Sequence, residues 1–230
     1  MAHTSDQVPP TADRSDRDKI IDAFLELLAE RRFEEIGFGD VATKADVPLA
    51  SCRRQFNALI AVYAAHVARI DAAVLEGLDP AMAQESPRER LFDIIMRRLE
   101  ALAPHKAAMR SLARSARRNP PLALALNGIA ARSQQWMLTG ANISAHGLRG
   151  ALRAQGLALL YIDVLRTWLH DDDPGLARTM AALDRALGRG QQFAHCLDRL
   201  CACIPPPLHR SRRWRPRDHS NDPGEQPVVL

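Results

Sequence analysis

A histidine and three cysteines near the carboxyl-terminal end of the chain have side chains of the kind that bind zinc. They are His195, Cys196, Cys201 and Cys203. Zinc ligands usually come in two short paired motifs, whereas these cysteines form a single C-x4-C-x-C run that leads into Pro205. Cysteine is also a common apolar core residue. We therefore expect reduced thiols and no metal site here.

Three consecutive aspartates, Asp171, Asp172 and Asp173, offer carboxylates that could bind a divalent cation. Pro174 follows them, and proline suits the first position of a helix. Acidic side chains also favour the positive end of a helix. The run therefore predicts a helix start with Asp173 as its N-cap and Pro174 as its first residue, in place of a metal site.

The sequence lacks the patterns that carry hydrolytic or phosphoryl-transfer chemistry. It contains no G-x-S-x-G turn, no glycine-rich phosphate loop and no convincing Ser/His/Asp arrangement. We expect a protein that is not an enzyme and that carries no cofactor.

Adjacent arginines, Arg53 and Arg54, offer a different chemistry, because guanidinium groups bind phosphate and the major-groove edge of guanine. They lie in a short segment whose Cys52 and Phe56 point inward. The outward side chains are therefore candidates for contact with DNA. These candidates are Ala50, Ser51, Arg53, Arg54 and Gln55, together with Lys44 from the preceding segment.

Two short helices joined by a tight turn are expected to position these side chains. In the first helix the inner face is formed by Phe38, Val41, Ala42 and Ala45, and the turn is Asp46-Val47-Pro48. An amphipathic helix over residues 17–32 precedes them, with Ser15 or Asp16 as its N-cap.

The rest of the chain also has helical periodicity, and strand-like alternation is absent. Helices are expected over residues 59–78, 91–102, 106–118, 122–138, 148–169 and 174–201. The expected organisation is a flexible arm (1–16), a helix-turn-helix domain (17–65), a larger helical domain (66–203) and a disordered basic tail rich in proline and arginine (204–230).

The stretch from Ile20 to about Ala65 resembles the DNA-binding domain of TetR-family repressors. The match rests on the helix from Ile20 to Leu28, then Phe33, Asp40-Val41-Ala42, Ala45, Val47 and Phe56. The chain departs from the family pattern at five positions. Those repressors usually have Gly at the positions of Arg32 and Asp46, a hydroxyl residue at Gly37, Tyr at Arg53 and Lys at Leu59.

This resemblance implies an all-α, TetR-like fold, with a three-helix DNA-binding domain followed by a helical domain for ligand binding and dimerisation. It implies a homodimer, formed through residues 148–169 and 176–200, that binds a pseudo-palindromic operator and responds to a small apolar effector or a lipid. Large adaptable side chains suit such a ligand. The predicted pocket residues are Trp136, Met137, Tyr161, Trp168 and Met180.

A second, shorter resemblance suggests an alternative function. Residues 168–187 are similar to the carboxyl-terminal signature of the TetR-like lipid-binding proteins of coenzyme Q biosynthesis, which bind isoprenoid lipid and membrane instead of DNA. A basic stripe would then face anionic lipid, although an ordinary solvated helix face is the favoured interpretation of it; its residues are Lys106, Arg110, Arg114, Arg117 and Arg118.

The distribution of charge bears on this choice. Residues 1–77 carry 9 Lys and Arg against 13 Asp and Glu, a net charge of −4, whereas residues 78–203 carry 17 against 11, a net charge of +6. Affinity for a polyanion comes mainly from Lys and Arg, so an acidic head favours the lipid-binding alternative. Since no run approaches the ~20 apolar residues of a membrane span, and the first 18 residues lack the apolar run of a secretory signal, we expect a cytoplasmic protein.

Overall fold

The computed structural model describes residues 15–202, with side chains described as far as Gln192. Within this range the chain forms helices α1 (Asp16–Glu30), α2 (Phe38–Ala45), α3 (Leu49–Gln55), α4 (Leu59–Glu76), α5 (Pro87–Leu102), α6 (Lys106–Ala116), α7 (Pro120–Gly140), α8 (Gly147–Leu169) and α9 (Ala177–Ala202). Short 3-10 turns precede α2, α5 and α6. Residues 1–14 of the predicted arm, the predicted basic tail, and the side chains of the four zinc candidates lie outside the described residues.

Helix α1 begins where the sequence predicts, because Ser15 is its N-cap. The Ser15 hydroxyl accepts a hydrogen bond from the backbone N–H of Asp18 at 3.2 Å. This satisfies one of the donors that the first turn of a helix leaves without an intrahelical partner. Ile20, Phe24 and Leu28 are fully buried along one face of α1.

Two further caps fix the starts of α5 and α7. Ser86 and Glu89 form a reciprocal capping box ahead of Pro87. The side chain of Asn119 accepts from the N–H of Leu122 at 3.0 Å. Each helix therefore begins on a proline that follows a capping residue.

Helix α4 links the first three helices to the rest of the chain. The predicted domain boundary between residues 65 and 66 lies inside this helix. A contiguous apolar core runs from Ile20 on α1 to Leu187 on α9. The helix-turn-helix and the larger helical part are therefore packed together.

The start of α9 differs from the prediction. The helix begins at Ala177 instead of Pro174. The carboxylate of Asp173 accepts from the nearby N–H of Gly175 at 3.2 Å, whereas the carboxylate of Asp171 accepts from the backbone N–H of Thr179 in the first turn of α9 at 2.9 Å. The prediction that Asp173 is the N-cap is therefore wrong, because the cap comes from a residue farther back in the chain.

In the described part of the chain, no single helix combines the length and the apolar composition of a membrane span. Only α3 and α4 taken together would do so, and they meet at a 65° bend.

Candidate functional site

The turn between α2 and α3 is built around a residue in a left-handed conformation. Asp46 has φ 53° and ψ 50°, and Val47 donates its backbone N–H to the carbonyl oxygen of Ala42 at 3.1 Å. Glycine is the residue that usually occupies such a helix end, because it has no Cβ penalty there. Val41 and Cys52 are fully buried on the facing sides of α2 and α3. This packing fixes the orientation of α3.

Helix α3 presents most of the predicted DNA contacts to solvent. Ala50, Arg53, Arg54 and Gln55 are exposed. The prediction that Ser51 points outward is wrong. Ser51 is buried next to Cys52, although Gln55, one turn later on the same helix, is exposed. Its hydroxyl accepts a hydrogen bond from the guanidinium Nη2 of Arg54 at 2.7 Å. Ser51 is therefore placed to orient Arg54.

A third arginine, which the sequence patterns did not single out, joins this surface. Arg17 on α1 lines the same hollow as Arg53 and Arg54, a surface depression of about 470 Å³ beside the end of α3. The guanidinium of Arg17 lies 4.7 Å from the ring centre of Phe56, a cation–π contact. We call Arg17, Arg53 and Arg54 the arginine patch. Only the packing of α1 against α3 brings Arg17 there, so no local motif could have revealed it.

The exposed residue that begins α3 was also missed. Leu49 is 56 % exposed, which is unusual for a leucine next to a packed turn. An apolar side chain at the start of a recognition helix can contact the methyl group of thymine.

Some acidic side chains of residues 15–77 form ion pairs with cations of the same part of the chain. Lys44 contacts Glu26 at 3.1 Å, and Arg69 contacts Asp22 at 2.6 Å. Among residues 15–192, no carboxylate lies within ion-pair distance of Arg53 or Arg54. The described acidic residues therefore do not hold Arg53 or Arg54 in ion pairs.

Helix α6 ties the helix-turn-helix to the larger helical part. The hydroxyl of Ser111 donates to the carbonyl oxygen of Arg31 at 2.7 Å, and the N–H of Phe33 donates to the hydroxyl of Ser115 at 3.1 Å. Both contacts hold the end of α1 against α6. A shift of α6 would therefore move the helix-turn-helix.

The other end of α6 binds the loop between α8 and α9. Lys106 donates to the carbonyl oxygen of Asp171 at 2.6 Å. Arg110 donates to the carboxylate of Asp172 at 3.0 Å, and this hydrogen bond together with the guanidinium charge lowers the pKa of Asp172. Two of the five cations in the predicted lipid-facing stripe are therefore engaged within the chain.

The core of the larger helical part contains a buried ion pair. Arg98 on α5 donates to the carboxylate of Asp71 on α4, and both side chains are buried. The same carboxylate accepts from the hydroxyl of Ser133 on α7 at 2.9 Å. The Arg98 guanidinium lies 5.3 Å from the ring centre of Tyr161 on α8. Four helices therefore contribute to one polar cluster.

A fully buried histidine lies beside this cluster. The ring of His66 makes an edge-on contact with the ring of His105, with 4.9 Å between the ring centres. Neither ring nitrogen of His66 has a hydrogen-bond partner among the described residues. Burial, with the nearby charges of Arg69 and Arg98 as smaller causes alongside His105, lowers the pKa of His66 to about 3.

The five predicted pocket residues are found in two different environments. Met137, Tyr161 and Trp168 are buried in the core, whereas Trp136 is 55 % exposed and Met180 is 38 % exposed. None of the five lines the cavity of about 800 Å³ that lies between α5, α8 and α9. Their role in ligand binding stays a prediction.

An apolar stripe runs along the outer face of α8, within the range predicted for dimerisation. Leu148, Leu152 and Leu159 are exposed at helical spacing, and Met180 is exposed on α9. Exposed leucines at this density are typical of a surface that another chain covers.

The residues of the second resemblance have structural roles in this fold. Trp168 is buried with the ammonium of Lys106 5.2 Å from its ring centre, and Asp171 binds Thr179. Within the described residues, no three His, Cys, Asp or Glu side chains lie close enough together to hold a metal ion.

No family model matches the sequence, and no curated protein matches it. Solved structures do match. A TetR transcriptional regulator from Nitrosomonas europaea is 24 % identical with a TM-score of 0.60, covering 76 % of this chain and 98 % of the other. A TetR regulator from a Rhodococcus species is 19 % identical with a TM-score of 0.54, covering 76 % and 95 %.

A transcriptional regulator from Streptomyces coelicolor is 22 % identical with a TM-score of 0.52, covering 76 % of this chain and 99 % of the other. These likenesses extend over nearly the whole length of each solved structure, so they include the helical part as well as the helix-turn-helix. The predicted all-α, TetR-like architecture is confirmed: the chain has the fold of the TetR transcriptional regulators.

Proposed function

We propose that this chain is a TetR-type transcriptional regulator that binds a pseudo-palindromic operator as a homodimer. The observation that carries the proposal is the arginine patch. Arg17, Arg53 and Arg54 converge at one hollow beside α3, where they are available to phosphates and to guanine edges in a major groove. Ala50 and Gln55 provide further exposed positions on the same helix.

The dimer follows from the geometry that such binding requires. Two recognition helices must reach successive major grooves about 34–36 Å apart, so two copies must be held rigidly at that spacing. The exposed apolar stripe of α8, with Met180 on α9, supplies a surface for this purpose. A self-complementary contact between two such stripes gives the two-fold symmetry that a pseudo-palindrome mirrors.

Ligand response would act through α6. This helix contacts α1 at one end and the α8–α9 loop at the other. A ligand that binds the helical part more tightly in one arrangement of α6 than in another shifts the spacing of the recognition helices. It therefore alters operator affinity without touching the DNA.

Footprinting of the full chain on the DNA upstream of its own gene tests this proposal. We expect two protected half-sites whose centres are about one helical turn, or a multiple of it, apart. Protection of a single half-site would contradict the dimer. An absence of protection at low salt, with the protein shown to be folded by circular dichroism, would contradict DNA binding itself.

A further inference from the structure

The cavity between α5, α8 and α9 has an apolar interior. Its volume is about 800 Å³, within the range of roughly 300–1,000 Å³ typical of small-molecule sites. Buried leucines form its inner wall, and Leu152 and Leu159 of the apolar stripe proposed for dimerisation lie at its mouth, so the cavity adjoins the proposed dimer interface. The inner-wall leucines are Leu91, Leu138, Leu157 and Leu187.

The polar side chains of this cavity are mostly cationic. Arg88, Arg153 and Arg189 line it together with a single carboxylate, that of Asp163. Arg189 is paired with this carboxylate at 3.4 Å, and when Asp184, the partner of Arg88, is counted as well, the net formal charge around the cavity is +1. Arg88 also contacts Asp184 at 2.7 Å, and both side chains are partly exposed to solvent. Such exposed pairs are weak, so an incoming anion can compete for the guanidinium.

We propose that this cavity binds a long-chain amphipathic anion, with the apolar chain among the leucines and the acidic group against the arginines. The apolar wall accounts for the chain, since burying each CH₂ group stabilises the complex by about 0.8 kcal/mol. The formal charge of the lining accounts for the anion. The binding of this ligand can be tested whatever the function of the protein. Its role as the effector of a regulator rests on the proposed function.

A glycine in the cavity wall allows a sharp test. Gly156 lies inside α8 and lines the cavity, and a Cβ built on it meets no atom within 4 Å. The Cβ of a substituted residue therefore has open space, and a large side chain built on it would occupy part of the cavity. Gly128 inside α7 also has open space around its Cβ, and it does not line the cavity. It provides a matched control.

The experiment is isothermal titration of the full chain with dodecanoate, with dodecanol as the uncharged probe, in the absence of DNA. We expect one dodecanoate per chain, bound about tenfold more tightly than dodecanol, because a charge-assisted hydrogen bond is lost with the alcohol. Gly156→Phe should weaken dodecanoate binding by about tenfold or more. Gly128→Phe should leave it unchanged.

A charge variant keeps the test decisive if Gly156→Phe does not fold. Arg88→Gln combined with Arg189→Gln should weaken dodecanoate binding and leave dodecanol binding unchanged. Arg132→Gln combined with Arg166→Gln removes the same charge from exposed positions outside the cavity and should affect neither probe.

Three results would overturn the proposal. They are no dodecanoate binding, equal binding of both probes, or dodecanoate binding that survives both the Gly156 and the arginine variants. Sedimentation of Gly156→Phe identifies the other possible occupant. If this variant is monomeric and the parent protein binds no dodecanoate, a second copy of the chain fills the cavity and the proposal is wrong. The titration contains no DNA, so a failure to bind dodecanoate would not count against operator binding. A failure to bind the operator would likewise not count against dodecanoate binding.

Discussion

The carboxylate of Asp171 accepts two hydrogen bonds from Thr179, one from its backbone N–H at 2.9 Å and one from its hydroxyl at 2.7 Å. This pair closes the loop between α8 and α9, and Lys106 on α6 binds the carbonyl oxygen of the same aspartate. The start of the last helix and the position of α6 are therefore fixed at one point.

The first prediction concerns this pair. Thr179→Val keeps the shape of the side chain and removes the hydroxyl donor, so the free energy of unfolding should fall by about 1 kcal/mol. The exposed Thr139 donates its hydroxyl to a carbonyl oxygen of its own helix, and Thr139→Val should change stability by less than about 0.5 kcal/mol. Urea unfolding measures both.

The pH dependence of this difference is set by the pKa of Asp171. Hydrogen bonding to the Thr179 hydroxyl is the largest of the causes that lower it. A lowered carboxylate pKa stabilises the folded protein above the usual aspartate value of about 4, and this stability is lost as the pH falls through the folded-state pKa. The parent protein and Thr179→Val should therefore converge in stability at acid pH. If the difference in free energy of unfolding between the two proteins stayed constant as the pH fell below about 4, this account would be contradicted.

The second prediction concerns the buried ion pair of the polar cluster. Asp71→Asn leaves the Arg98 guanidinium buried without a counter-charge, so it should lower the free energy of unfolding by about 3–5 kcal/mol. Asp93→Asn breaks the more exposed pair with Arg97, at 2.7 Å on α5, and should cost less than about 1 kcal/mol. If the two variants lowered the free energy of unfolding by similar amounts, the buried pair would contribute no more to stability than the exposed one.

The third prediction concerns His66, whose pKa of about 3 in the folded protein lies below the usual histidine value of about 6.5. The unfolded chain therefore binds a proton that the folded chain excludes, and stability is lost as the pH falls from about 6.5 towards 3. His66→Leu should flatten this part of the stability profile. His146→Gln, at an exposed position, should not. An unchanged slope in His66→Leu would contradict the buried neutral state of this histidine.

The fourth prediction concerns the turn of the helix-turn-helix. Asp46→Gly relieves the left-handed backbone and should raise the free energy of unfolding by about 0.5–1 kcal/mol. Asp46→Asn removes the charge and retains a side chain that tolerates this conformation, so it separates strain from charge. If Asn stabilises the protein as much as Gly does, the effect is electrostatic.

The sequence was most informative where structure is local. Amphipathic periodicity predicted the helices, and the Ser15 cap and the inward-facing Cys52 were confirmed. The predicted start of α9 was wrong because the capping residue, Asp171, lies eight residues before Thr179, whose N–H it binds. Local capping motifs do not span that distance.

The side-chain environments that depend on tertiary contacts could not be predicted. Arg98 and Asp71 are 27 residues apart, and neither stands out in its own helix. Arg17 joins the arginine patch only through the packing of α1 on α3. Ser51 was wrongly placed outside because a helix as short as α3 has a poorly defined face until its neighbours are known.

The most direct test of the central claim is fluorescence anisotropy with labelled DNA from the region upstream of the gene, using the full chain. Arg53→Ala combined with Arg54→Ala should weaken binding by at least about tenfold, and the slope of log affinity against log salt should fall by about 2, since two cations are lost. Arg117→Ala combined with Arg118→Ala, an exposed pair in the turn that follows α6, should leave affinity nearly unchanged. Equal losses from the two double variants, or no binding by the parent protein at low salt, would contradict recognition of DNA by α3.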